Sequence, residues 1–329
     1  MTSDAHFTDK HILITGGLGF IGSHLARRLV AAGAHVTLVD SLIPEYGGNL
    51  HNIHGLDGQV RVNISDVRDE FSMAYLVQGQ HYLFNLAGQT SHMDSMRDPY
   101  TDLEINARAQ LSILEACRKH NPDLRVVFAS TRQLYGKPDY LPVNEAHPLR
   151  PVDVNGINKL AGEWYHLLYH NVHGIRTSVL RLTNTYGPHM RIKDARQTFL
   201  GVWVKLVLQG LPFEVWGGDQ LRDFNYVDDV VDAFLTVAAS PQADGQVYNL
   251  GDAPPVSLRT LADLLVELHP TASYRIHEYP AERKRIDIGD YYADYTRIHQ
   301  ALGWQPRTAL RDGLSATLAF YREHLEHYL

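Results

Sequence analysis

The sequence predicts an α/β fold: a doubly wound parallel sheet with a smaller, interleaved α/β substrate lobe. Three observations predict it. A short apolar run, His11 to Thr15, leads directly into a cluster of glycines and then a helical stretch. Strand-like and helix-like segments then alternate, the pattern of parallel sheets crossed by helices. Past about residue 185 the alternation loosens, and glycine and proline punctuate the chain at Gly187-Pro188, Gly210-Leu211-Pro212 and Gly217-Gly218. The first helix is expected over about 21–32, stopping at Gly33, a residue type suited to the left-handed position after a helix. Further strands are read at 35–39, 60–64, 82–86 and 124–129. Segment 101–119 is read as one helix with Leu103, Ala107, Leu111 and Leu114 on a single stripe. These elements divide the chain into a sheet domain, residues 1–183 with about 225–252, and a second lobe, about 184–224 with 253–329.

Composition narrows the class. The chain has 329 residues, 44% hydrophobic and 20% charged, enough to bury a full core without covalent staples. Its one cysteine, Cys117, permits no internal disulfide and suits a reducing, cytoplasmic setting. Met1 to Lys10 is polar, without the apolar stretch of a signal peptide, and no apolar run approaches the length of a membrane span. A formal charge of −7 argues against a nucleic-acid partner, so any anionic ligand must be met by local cations.

The glycine cluster carries chemistry. Gly16-Gly17-Leu18-Gly19-Phe20-Ile21-Gly22 joins a strand to a helix and fits G-x-G-x-x-G from Gly17 and G-x-x-G-x-x-G from Gly16. Glycines there permit the tight turn and let a pyrophosphate approach the backbone and the first N–H groups of the helix. Asp40 ends the next strand, where a carboxylate accepts from both ribose hydroxyls and repels a 2′-phosphate. The reading is a Rossmann site for NAD, with Gly16, Gly19, Phe20, Ile21, Gly22 and Asp40 as contacts. Asp66 and Val67, after the third strand, are placed beside the adenine.

With further motifs the chain resembles the nucleotide-sugar epimerase/dehydratase family of extended short-chain dehydrogenases/reductases. The marks are Asp66-Val67-Arg68, Asn85-Leu86-Ala87-Gly88, Ala129-Ser130-Thr131 with Tyr135-Gly136, Lys159-Leu160-Ala161-Gly162-Glu163, Arg181 to Pro188, Arg222 to Asp229, and Leu302-Gly303-Trp304-Gln305-Pro306. The resemblance implies that Leu86 and Ala87 line the cofactor and that Lys159 binds its ribose. It implies that a Ser/Thr, a Tyr and a Lys act together at the nicotinamide, the Tyr taking a hydroxyl proton as hydride leaves the sugar carbon. Gln89, Thr131, Asn184, Arg222 and Arg283 are placed at a nucleotide-diphosphate sugar. Arg283, Lys284 and Arg285 compete for one phosphate contact. Helices equivalent to 101–119 and 157–172 pair subunits in the family, so a homodimer is expected.

Two departures matter. The family pattern Tyr-x-x-x-Lys is Asn155-Gly156-Ile157-Asn158-Lys159 here. Asn155 and Lys159 still share a helix face, but an amide is no base near neutral pH. Three readings stand: His92 or Tyr135 is the base; Thr131 and water serve beside Lys159; or redox activity is lost and the chain is an NAD-binding regulatory or scaffold protein. Second, dehydrating or decarboxylating relatives tend to carry an acid two places after the catalytic Thr. Here that place holds Gln133, after Arg132, which favours epimerisation over dehydration, decarboxylation or net reduction. The catalytic set is therefore read as Thr131, Asn155 and Lys159. His166, His170 and His173 recur on one helix face, but no Cys or carboxylate completes a ligand set, and His324 and His327 read as a mixed surface helix. No metal is expected.

Overall fold

The run His11–Thr15 forms β1, in which every residue after His11 is buried. A strand covered on both faces reads as an unbroken apolar run rather than an alternation. The computed structural model describes residues 3–279 and 288–329. In chain order, β2 (His35–Asp40), β3 (Val60–Ile64), β4 (Tyr82–Asn85), β5 (Arg125–Thr131) and β6 (Arg176–Leu182) follow β1. The second half adds β7 (Asn184–Tyr186), β8 (Phe213–Trp216), β9 (Leu221–Arg222), β10 (Phe224–Tyr226), β11 (Val247–Asn249), β12 (Val256–Ser257) and β13 (Tyr274–His277). Seven of these form one sheet in the order β11-β6-β5-β4-β1-β2-β3. All its pairings are parallel, with Ile12 opposite Val36 on one side and Tyr82 on the other. This is the doubly wound Rossmann arrangement, with the strand order reversing at β1, beside which such folds bind their ligands.

The helices are α1 (Phe20–Ala31), α2 (Glu70–Leu76), α3 (His92–Arg97), α4 (Pro99–Leu103), α5 (Ala109–His120), α6 (Val154–His173), α7 (Phe199–Leu208), α8 (Val227–Ala239), α9 (Leu258–Leu268), α10 (Thr296–Leu302) and α11 (Leu310–His324). One apolar cluster joins Leu25 and Leu29 of α1 and Phe234 of α8 to Ile14, Leu38 and Phe84 of the sheet. Another joins Met73, Ile113, Leu114, Cys117 and Tyr169 to Leu13, Val39 and Leu83. A third cluster lies mostly past residue 185, with Trp203, Phe213, Leu261, Leu314 and Tyr321 at its centre and Phe20 of α1 at its border.

The segment read as one helix over 101–119 is not one rod. Between α4 and α5 a wide π turn spans Glu104–Arg108. The extra residue shifts the helix phase. Leu103 is left 43% exposed, and Asp102, Asn106 and Gln110 are turned inward.

Asp223, between β9 and β10, ties the lobes together. Its carboxylate accepts from Thr183 Oγ1, just past β6, and from Ala293 N at 2.9 Å. Burial pushes this carboxyl from 3.8 up to about 6 against the opposing pull of those donors and of Arg132. A raised acid pKa means that the folded state holds a proton the unfolded chain has released. Stability therefore falls as pH rises through roughly 4 to 6 and stays lower above it. Asp223→Asn preserves one acceptor for Ala293 N and gives Thr183 a donor. The variant is expected to unfold at a higher temperature than the parent, with a gap that opens between pH 4 and 6 and levels at ~3 kcal/mol. A gap independent of pH in thermal unfolding would contradict this.

Candidate active site

A cleft of about 1110 Å3 runs along the carboxyl ends of the sheet, from the glycine loop to Arg222. At one end Gly16 holds a left-handed backbone, φ +67°, and a side chain on Gly22 would put its Cβ 2.3 Å from Gly16 O. No side chain caps the start of α1 at Gly19, so its leading N–H groups stay available to an anion. Phe20 and Ile21 line the same wall. Asp40 closes it, accepting from Leu18 N at 3.1 Å and Leu42 N at 2.9 Å. Burial raises its pKa against those bonds. Asp66 is gripped by the Arg68 guanidinium, which holds its carboxyl below the usual range. Val67 is buried next to it, and the backbones of Leu86 and Ala87 are pinned by Thr15 Oγ1. A glycine cradle that any Cβ would fill, an uncapped helix start and a strand-end carboxylate fit a dinucleotide.

Further along the cleft, Thr131 ends β5 and its Oγ1 accepts from Gln133 N. The accepting role leaves its hydrogen free for a ligand oxygen. Lys159 is buried, its Nζ 3.2 Å from Ala129 O and 5.1 Å above the Phe128 ring. Burial lowers its pKa to about 8, with Asp102 opposing. Asp102 is fully buried, and three asparagines converge on it: Asn155 at 3.1 Å, Asn106 at 3.0 Å and Asn158 at 2.8 Å. The second amide hydrogen of Asn155 goes to Gln89 O at 2.8 Å. A carboxylate can only accept, so the amide of Asn155 must point its nitrogen inward, leaving Oδ1 as the atom that can receive a hydrogen bond in the cleft. Among the described residues, the buried Gln89 Oε1 has no partner.

The two suggested bases part company. Tyr135 is sealed in the core, donates to Asn249 Oδ1 at 2.7 Å and accepts from Arg181 at 2.6 Å; burial pushes its pKa up to about 12. It is therefore no base for this cleft. His92 begins α3 on the cleft wall, with Nδ1 3.0 Å from Asp153 Oδ2. The donor is off the line to that oxygen, so the contact is a close approach and not an aligned hydrogen bond. Asp153 caps α6 through Gly156 N at 2.7 Å and also accepts from Gln133 Nε2 at 3.0 Å. Burial opposes ionisation of Asp153, but His92, Gly156 N and Gln133 outweigh it and hold the carboxyl below its usual range.

On the substrate side, Asn184 accepts from Arg132 Nη2 at 3.1 Å, and the Arg132 guanidinium lies over Tyr291. Arg222 is buried, with Nη1 bonded to Leu221 O and Gly289 O. Arg283, Lys284 and Arg285 lie outside the described residues. The structure thus gathers Gln89, Thr131, Asn155, Lys159, Asn184 and Arg222 in one cleft. His166, His170 and His173 do not converge: the first stacks on Phe128, the second pairs with Ile175 O and the third packs on Tyr169. Sequence reasoning missed Asp102 and Asp153. Asp153 carried a helix-cap signal, which says nothing of His92; Asp102 carried none.

Fold and cleft together define a Rossmann protein with room for a dinucleotide beside a second ligand. Residues 12–251 match the model of the NAD dependent epimerase/dehydratase family. The chain is 31% identical over 316 residues to a putative UDP-glucose 4-epimerase of Methanocaldococcus jannaschii, covering 95% of this chain and 99% of the relative. It is 32% identical over 322 residues to a dTDP-glucose 4,6-dehydratase of Streptomyces griseus, covering 95% and 94%. Among solved structures it resembles the Thermotoga maritima UDP-glucose 4-epimerase with UDP-glucose (TM-score 0.86, 30% identity, 96% and 99% covered). It also resembles a Streptomyces venezuelae dTDP-glucose 4,6-dehydratase with NAD bound (TM-score 0.86, 27% identity, 96% and 98% covered). The chain belongs to the NAD-dependent epimerase/dehydratase family, and its cofactor is NAD. Gly22→Ala must displace the loop carbonyl of Gly16. NAD affinity, read by calorimetry, is expected to fall by about tenfold or more with far-UV circular dichroism unchanged. Undiminished affinity would detach the glycine loop from cofactor binding.

Proposed function

We propose that the chain is an NAD-dependent epimerase of a nucleotide-diphosphate sugar, working through a transient keto-sugar. The observation that carries this reading is the His92–Asp153 pair, which opens into the same cleft as Thr131 and Lys159 and supplies the base that Asn155 cannot be. Bound NAD supplies the hydride acceptor and donor. The glycine loop, Asp40, Asp66, Val67, Leu86 and Ala87 hold it, with Lys159 at the ribose. Gln89, Asn184, Arg222 and Arg283 hold the diphosphate sugar.

Within that frame the residues divide the work. Thr131 donates to the reacting oxygen, its orientation fixed by Gln133 N. His92 takes the hydroxyl proton on its far nitrogen, and Asp153 stabilises the imidazolium that forms, the role a buried carboxylate plays behind a catalytic histidine. Lys159, close above Phe128, biases the oxygen toward the anion. On the return His92 hands the proton back. The side chain at Gln133 is an amide tied to Asp153, so no carboxylate is presented directly to the sugar from that position. A second reading, dehydration or decarboxylation, has its own support: a dehydratase relative is as similar as the epimerases, and His92 is a base able to take a carbon-bound proton.

We place the cofactor domain at 1–183 with about 225–252, the third apolar cluster serving the sugar lobe. We also assign a homodimer to the outer face of α6, where Ile157, Trp164, Leu168 and Val172 lie exposed beside Tyr100 and Leu103. Trp164→Asp is expected to halve the mass seen by sedimentation; a parent chain already monomeric would remove the dimer. Among the described residues no helix is long and apolar enough to cross a membrane.

The purified chain, incubated in heavy water with UDP-, GDP-, CDP- and dTDP-sugars, is expected to yield an isomer of unchanged mass without solvent deuterium. Loss of water or carbon dioxide, or deuterium uptake, would replace epimerisation by the second reading. NAD binding with no sugar converted would leave a regulatory protein. His92→Gln is expected to lower kcat by about 10^2–10^4 with NAD affinity intact and KM little changed; a variant as fast as the parent would remove His92 from the chemistry.

A further inference from the structure

Three histidines far apart in the sequence come together. His51 lies in the short 3-10 turn Leu50–Ile53, after β2; His324 ends α11; His327 lies in the closing turn Leu325–Tyr328. One ring nitrogen from each lies within 4.8 Å of the other two, and among the described residues this is the one group of three metal-ligating side chains that close. The rings of His51 and His327 stack at 3.9 Å, and that of His324 stands 5.3 Å from His51. We propose that His51, His324 and His327 form a binding site for a divalent transition-metal ion, which pins the closing turn of the chain to the cofactor half of the molecule.

The backbone that carries these rings is already fixed. Asn49 accepts from His51 N and donates to His327 O, both at 2.9 Å. Tyr328 donates to Asn52 Oδ1 at 2.7 Å, and Asn52 donates to Leu18 O in the glycine loop at 2.8 Å. Closing the site asks the His51 and His327 rings to turn out of their stack so that their in-plane lone pairs converge. Tetrahedral zinc with Zn–N of about 2.0–2.1 Å needs nitrogens about 3.4 Å apart, little more than an ångström nearer than the present limit. Three imidazoles with an open fourth position suit zinc, nickel or copper rather than calcium or magnesium, which take oxygen ligands. Glu326, whose carboxylate lies 3.8 Å from His327 Nε2, or water completes the shell. The Arg27 guanidinium nearby is committed to Asn52 O and His54 O.

The cluster also accounts for a placement that the fold does not otherwise require. His51 and His324 are half-buried against each other, where two cations would repel and a shared metal would not. Because Asn52 holds the glycine loop, an ion here would order the floor under the cofactor as well as the closing turn.

The test uses the full chain without a histidine tag, stripped with chelator and titrated with zinc chloride by calorimetry, and with cobalt chloride by visible absorption. His327 is exposed, so His327→Gln keeps the fold; His51→Gln is the second variant. The parent is expected to take one equivalent of zinc, to give the visible bands of nitrogen-bound cobalt, and to melt about 4 °C higher at a hundredfold excess over Kd. Each variant is expected to bind at least tenfold more weakly and to lose the thermal shift. Parent and variants that bind zinc alike would assign the uptake to others of the nineteen histidines and overturn the site. A parent that takes up no zinc and shows no cobalt bands would overturn it too.

Discussion

A carboxylate taken out of water must be surrounded by donors or it destabilises the fold by several kcal/mol, and the buried Asp102 imposes that demand on the floor of the cleft. Three amides answer it, with Lys159 close enough to feel its charge. This explains what stands at position 155. A phenol offers one hydrogen, whereas the amide of Asn155 offers two and spends them on Asp102 and Gln89 O. Asn155 is therefore part of a scaffold, held at the head of α6 where Asp153 also meets His92.

Much of this was legible locally. The glycine loop, Asp40 and the alternating strands are each set within a few residues, where periodicity and turn chemistry act. Lys159 and Thr131 were likewise readable from motifs. What escaped depends on residues that meet only through the fold. Asp153 announces itself as a helix cap, but its contact with His92 needs α3 and α6 to pack together. Tyr135 was read as a possible base because its neighbours match a motif; burial against Arg181 and Asn249 is invisible in the sequence. His324 and His327 read as part of a mixed surface helix, and their meeting with His51 exists only through the fold.

Gln133 shows how residue identity and site chemistry come apart. Position 133 holds an amide, and a carboxylate meets it from the start of α6 as Asp153, which accepts from that amide at 3.0 Å. Its side chain is fully enclosed, and it meets the cleft through His92 and Gln133.

The wide turn at Glu104–Arg108 carries a last consequence. Asp102, Asn106 and Gln110 recur every fourth residue, a spacing that drifts sideways along an ordinary α-helix at 100° per residue. The surplus residue absorbs that drift and keeps all three inside. Removing one residue there would let the segment relax into a regular helix and swing Asp102 about a quarter of a circle away from the asparagines. For this stretch, side chains on the outer face are open to exchange; what the molecule has to keep is the count.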